Sequence, residues 1–154
     1  MIVVSDSSSI SGLIRIDHSE LLQQLYGEIL IPEAVRHELQ DFFPRLPEFI
    51  HTQKVLNFAK VNQLCADLDL GEAEAIVLAK EVHAEILLID ELDGRRIARR
   101  EGIPIIGLMG VLLQAKNQRL IPSVKPVIER LENEVDFRLS AELKRMTIQQ
   151  ANEL

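Results

Sequence analysis

A chain of 154 residues, 47% of them hydrophobic, is long enough to close one apolar core and too apolar to be disordered. Only 4% of the residues are aromatic and Trp is absent, so that core must be aliphatic, which suits helices packed on a parallel sheet. The net charge of −7, from 17 basic and 24 acidic residues, excludes a broadly basic nucleic-acid-binding surface and leaves carboxylates free for a metal.

Ile2, Val3 and Val4 predict a short buried strand that runs straight into Asp6 and the serines Ser7, Ser8 and Ser9. From Ile10 to Tyr26 the apolar residues recur at helical spacing, with a break or fresh cap at His18-Ser19-Glu20. Ile29 to Ile31 is a second strand, and Pro32 fits the first turn of a helix over Glu33 to Phe42. FFPRLPEFI, with two prolines and no helical period, is expected to be loop. Leu56 to Leu68 returns to helical spacing, Asp69-Leu70-Gly71 forms a turn, and Glu72 to Val82 is a helix rich in Ala and Leu. Ile86 to Ile89 is a third strand, Asp93 to Glu101 a helix closed by Gly102, Ile103 to Ile106 a last strand, and Val111 to Asn117 a helix. The tail from Ser123 holds one or two more helices.

Strands separated by helices imply right-handed βαβ units, and hence a three-layer α/β/α fold with a parallel sheet of four or five strands. The expected organisation is one domain over residues 1–154, with its core in 1–120 and C-terminal helices in 123–150. No apolar run reaches the ~20 residues of a membrane helix, and no basic segment precedes a long apolar one at the N-terminus, so neither a membrane span nor a signal peptide is expected. Cys65 is the single cysteine and reads as a reduced thiol in a cytoplasmic protein. His18, His37, His51 and His83 lack the spacing of a zinc site.

In a parallel sheet the ligand lies beyond the carboxyl ends of the strands. Asp6 ends the first strand and Asp90 the third, so the fold can set them side by side. Each acid has an ordinary structural explanation. Asp6 or a following serine can cap a helix, as can Asp93, and Glu91 can be a solvated loop acid. Glu72 and Glu74 suit the positive end of a helix dipole; about 200° apart on the helical wheel, only one of them can face the site, and Glu72 at the tip is the better placed. Glu38 lies near the apolar stripe of its helix, where a carboxylate needs a partner or a cation. Together, four acids at the ends of βα units repel unless a cation joins them, and oxygen ligands suit Mg²⁺ or Mn²⁺. Such ions activate water against a phosphodiester.

Strand-Asp-Ser-Ser, LIPEAVRHEL, LGEAEAIVLA and LLIDE followed by an Arg-rich helix resemble the PIN-domain family, and GLMGVLLQAK fits the G-x-x-G-V-L-x-x-A-K segment of its VapC-like branch. The resemblance runs from Met1 to about Lys116. It implies a Mg²⁺- or Mn²⁺-dependent endoribonuclease acting on RNA, often the toxin of a toxin–antitoxin pair, with a cognate antitoxin protein and a homodimer as expected partners. By position, Asp6, Glu38 and Glu72 match the first three metal-binding acids and Ser7 the hydroxyl neighbour. Asp90 or Glu91 fills the fourth place, and Glu91 departs from the Asp common there, with Asp93 a weaker substitute. Arg95, Arg96, Arg99 and Arg100 lie largely on one helix face, where they can hold RNA phosphates or pair with Glu91 and Glu101.

Other readings are a PIN-like module that binds RNA or a protein without catalysis, and a phosphoacceptor receiver domain. The second wants paired acids after the first strand, where Ser5-Asp6-Ser7 supplies one. An Asp-x-Asp phosphatase fails likewise, because Ser8 stands where its second Asp should be. Val124, Val127, Ile128 and Leu131 form a helical stripe that either covers the sheet or joins two copies of the chain.

Overall fold

The computed structural model describes all 154 residues. Strand β1 (Val3–Ser5) leads into helix α1 (Ser7–Arg15), and α2 (Glu20–Tyr26) follows after the break. Next come β2 (Ile29–Ile31), α3 (Glu33–Gln40), β3 (Ile50–Thr52), α4 (Phe58–Leu64) and α5 (Leu70–Glu81). The second half contains β4 (Ile86–Leu88), α6 (Leu92–Arg100), β5 (Ile105–Ile106), α7 (Leu108–Asn117), α8 (Lys125–Glu134) and α9 (Ala141–Gln150). The break between α1 and α2 has a local cause: Asp17 takes positive φ (57°), which stops α1.

All five strands are parallel, in the order β3-β2-β1-β4-β5. Because successive strand residues face opposite sides, the central strands feed two cores. Val3, Ile29, Ile31 and Leu88 join a cluster of 25 buried residues with α1, α2, α7 and the C-terminal helices. Val4, Leu87 and Ile89 join a second cluster of 16 beneath α4, α5 and α6. The result is a three-layer α/β/α arrangement. From β1 the chain builds outward through β2 to β3, then crosses back to β4 on the other side. The strand order therefore reverses between β1 and β4, which opens a crevice beyond their carboxyl ends.

One expectation needs correction and one alternative is decided. FFPRLPEFI is not all loop, because its last residue, Ile50, begins edge strand β3, paired with β2 from Ile29↔Ile50 to Ile31↔Thr52. His51 and Thr52 are exposed on this edge, so the segment shows no apolar alternation. Of the two readings of the α8 stripe, packing inside the molecule holds: Val124, Val127, Ile128 and Leu131 are at most 6% exposed and belong to the larger core.

A clasp fastens the C-terminal helices. The Glu153 carboxylate accepts bonds from the backbone N–H groups of Val124 (2.8 Å) and Lys125 (3.0 Å), satisfying donors at the start of α8. It also pairs with Lys116 on α7 (2.8 Å), whose Nζ bonds the Ala151 carbonyl as well. Replacing Glu153 by Ala strips α8 of this cap and leaves Lys116 half-satisfied. The expected loss is ~1–2 kcal/mol, the usual scale for a helix cap, read as a lower urea midpoint at unchanged slope. An unchanged midpoint would show that the tail is held by apolar packing alone.

Candidate functional site

The crevice collects acids from both halves of the sheet. The Asp6 backbone N–H bonds the Leu88 carbonyl (2.9 Å), extending the β1–β4 pairing to the acid itself. Asp6 occupies the N-cap position of α1, yet its side chain makes no capping bond, and it is only 5% exposed. Capping therefore does not account for it. Across the crevice Asp90 is fixed from two directions: one carboxylate oxygen accepts from the Leu108 N–H at the start of α7 and the other from Ser9 Oγ, both at 2.9 Å.

Glu38 reaches in from α3, and Ser7 Oγ donates to its Oε2 at 2.6 Å. Its path crosses the first turn of α5, where only a glycine leaves room. A Cβ at Gly71 would stand 2.2 Å from Glu38 Oε1. Glu72, one residue on, is 7% exposed, and its Oε2 is buried with no hydrogen-bond partner. Gly94 on α6 makes space for it, because a Cβ there would lie 2.8 Å from that oxygen. Glu74 turns away, accepting the Ala34 N–H at the start of α3 (3.0 Å), as the wheel geometry requires.

Asp69, which reads in the sequence as a turn residue, also belongs to this cluster. Its side chain caps α5 by accepting the Glu72 N–H at 2.8 Å, and its charge bears on Asp6, Glu38 and Glu72. The D-x-x-E capping pattern of Asp69 and Glu72 was the available signal, and it points to structure as readily as to a site.

Placing these groups together costs their charged forms stability. Burial, reinforced by the charges of Glu38, Asp69 and Asp90, raises Asp6 to about 7. Burial and then Asp69 raise Glu72 to about 8. Burial also raises Glu38 and Asp90, and the Ser7 and Ser9 hydroxyls oppose it. The folded state consequently retains protons that the unfolded chain, with ordinary values of 3.8 for Asp and 4.5 for Glu, has already released. Stability should thus rise as pH falls from about 8 towards ~5, with the gain complete only near the unfolded values. In EDTA-treated protein the melting temperature should climb over that window, and Asp6→Asn with Glu72→Gln should flatten the slope. A wild-type profile already flat would contradict the burial of these acids.

The remaining predicted residues lie around this cluster. Glu91, the N-cap of α6, is exposed and makes no capping bond. Arg95 is half-buried, with its Nη1 donating to the Ile89 carbonyl at 2.8 Å, so it braces the strand end that carries Asp90. Arg96 is exposed and pairs with Asp93 at 3.6 Å. Arg99 is exposed in the last turn of α6, away from the end that meets the crevice. No three of the acids converge tightly enough to form a ready metal cage, so a cation among them would be reached partly through water.

The family described as DUF3368, PIN domain, matches residues 2–153. The fold is thus that of a PIN domain, a nuclease fold whose members typically use divalent metals. The chain belongs to this PIN-domain family. A search of curated proteins gives no match.

Proposed function

We propose that the chain is a Mg²⁺- or Mn²⁺-dependent endoribonuclease that hydrolyses RNA phosphodiesters. The observation that carries this reading is the Glu72 carboxylate. Its buried oxygen lacks a partner within a cluster of acids that burial holds away from their charged forms. Such an oxygen costs on the order of 1–3 kcal/mol or more to leave unsatisfied, and a divalent cation supplies what it lacks. The donors are all carboxylates, which fits a hard cation that keeps some of its waters. Asp6, Glu38, Glu72 and Asp90 would hold it, directly or through water, with Asp69 adding negative charge beside them.

When bound, the ion supplies a polarised phosphate, a more acidic water and a neutralised leaving oxygen. The chain's own part is orientation. Ser7 aims Glu38, while Ser9 and the Leu108 N–H aim Asp90. Arg95 holds the backbone at Ile89 from which Asp90 projects. Such outer contacts matter, since losing one typically lowers metal affinity or activity by roughly 10–100-fold.

The role of toxin, with a cognate antitoxin, rests on the GEAEAI and GLMGVLLQAK segments that resemble the VapC-like branch. A cytoplasmic homodimer is part of the same proposal. No helix is long and apolar enough to cross a membrane.

Two measurements test the reading. Mn²⁺ or Mg²⁺ should raise the wild-type melting temperature, and Asp6→Asn should lose most of that shift; equal shifts would remove Asp6 from the site. Single-stranded RNA should be cut with either metal and left whole in EDTA, and Glu72→Gln should lose more than the roughly 100-fold that a lost outer contact costs. Intact RNA at high enzyme concentration, with binding retained, would make the chain a non-catalytic RNA-binding module. That no three of the acids already form an ion cage is the feature that favours that second reading.

A further inference from the structure

The acidic crevice is continuous with a cleft of about 530 Å³ that runs along α1. One wall is a single face of α1, because Ser8, Ser11, Gly12 and Arg15 follow at intervals of three, four and seven. The opposite wall is the connector between α8 and α9, including Phe137, Arg138 and Leu139. Gly12 lets the two walls meet at the floor: a Cβ there would lie 3.3 Å from Leu131 and 3.8 Å from Phe137. Asp90 and Glu91 stand at the sheet end of the cleft.

Asp90 is held by Ser9 and the Leu108 N–H, and Ser140 caps α9 by accepting the Leu143 N–H (3.1 Å), but other polar groups of this cleft are unengaged. Ser8 Oγ is buried without a hydrogen-bond partner. Arg15 and Arg138 form no ion pair although acids outnumber bases in the chain. Arg15 instead stacks on the exposed ring of Phe42, 5.2 Å from its centroid, which holds its guanidinium plane in place. Ser8 and Arg15 are seven residues apart, ~10 Å along the helix by its rise. Hydroxyls and two cations, with the single acid Asp136 on the connector, thus line a path leading away from Asp90 and Glu91, and Leu139 and Leu143 give its far wall an apolar side.

We infer that this cleft is the binding track for the strand flanking the cleaved bond, and that it takes a single strand. Arg15 and Arg138 hold phosphates from opposite walls, Ser8 and Ser11 bond the backbone, and the leucines cover ribose and base. The volume is in the range that encloses a ligand of nucleotide size, roughly 300–1,000 Å³; a duplex would have to be opened first. The inference rests on the nuclease reading of the acidic end, and it goes beyond it by assigning the substrate path to α1 and the tail connector instead of to the arginines of α6.

The test uses labelled 12-nucleotide RNAs, one single-stranded and one a closed hairpin duplex, bound to full-length Asp6→Asn protein so that cleavage does not interfere. Arg15→Ala with Arg138→Ala, added to that protein, should weaken single-strand binding by about tenfold or more and reduce the salt slope by ~1.4, at ~0.7 per lost phosphate contact. Arg45→Ala, in the loop before β3, should change affinity less than about twofold. The duplex should bind more weakly than the single strand. Unchanged affinity and slope in a double variant with wild-type circular dichroism would overturn the track, as would tighter binding of the duplex. Loss of affinity for a co-purified protein partner, with RNA binding intact, would overturn it in favour of a protein-docking cleft. If cleavage by wild type persists at full rate in the double variant without Asp6→Asn, the track fails and the nuclease reading stands. If the variant loses binding while wild type never cleaves, the track stands and the nuclease reading fails.

Discussion

Carboxylates gathered at one end of a parallel sheet repel one another, and that repulsion is the constraint around which this molecule is arranged. Asp6 and Glu72 are almost wholly withdrawn from solvent, Glu38, Asp69 and Asp90 bear on them electrostatically or lie beside them, and none of the five forms a salt bridge, the charge of Arg95 reaching only Asp90. A structural role would have resolved the conflict with counter-ions, as Glu101 does with Lys60 and Lys80 on the far side of α5. Here it is left unresolved in the folded protein, which is the usual mark of a site tuned for chemistry.

The fold supplies the crowding through topology. Reversal of strand order between β1 and β4 opens the crevice, and the strand ends put Asp6 and Asp90 on its two sides. Helices α3 and α5 bring the glutamates from the flank. Small residues make the approach possible, with Gly71 under Glu38 and Gly94 beside Glu72. The serines after Asp6 divide the work: Ser7 holds Glu38, Ser9 holds Asp90, and Ser8 faces the cleft. One short run thus links two acids and the cleft along α1.

Much of this was legible in the sequence because it follows from periodicity. Strand and helix alternation implies the parallel sheet, and a strand-ending Asp implies a position at its carboxyl edge. What was hidden has specific causes. Strand β3 was obscured because His51 and Thr52 lie on an exposed edge and break the apolar pattern. Asp69 was obscured because a capping residue and a site acid look alike in one dimension. Arg95 could not be told from its neighbours, since its bond to the Ile89 carbonyl depends on side-chain placement rather than on spacing. The cleft was invisible for a different reason: Arg15 and Arg138 are more than a hundred positions apart, and only tertiary packing makes them opposing walls.

The central claim is that the buried acids form a cation site which their own protons occupy when the cation is absent. Calorimetric titration of Mn²⁺ at pH 7, repeated in buffers of different ionisation enthalpy, tests it most directly, because it counts protons released as metal binds. With Asp6 near 7 and Glu72 near 8, binding should expel about one proton or more per ion, and Glu72→Gln should lower that number. Binding without proton release, or release unchanged by Glu72→Gln, would contradict the account.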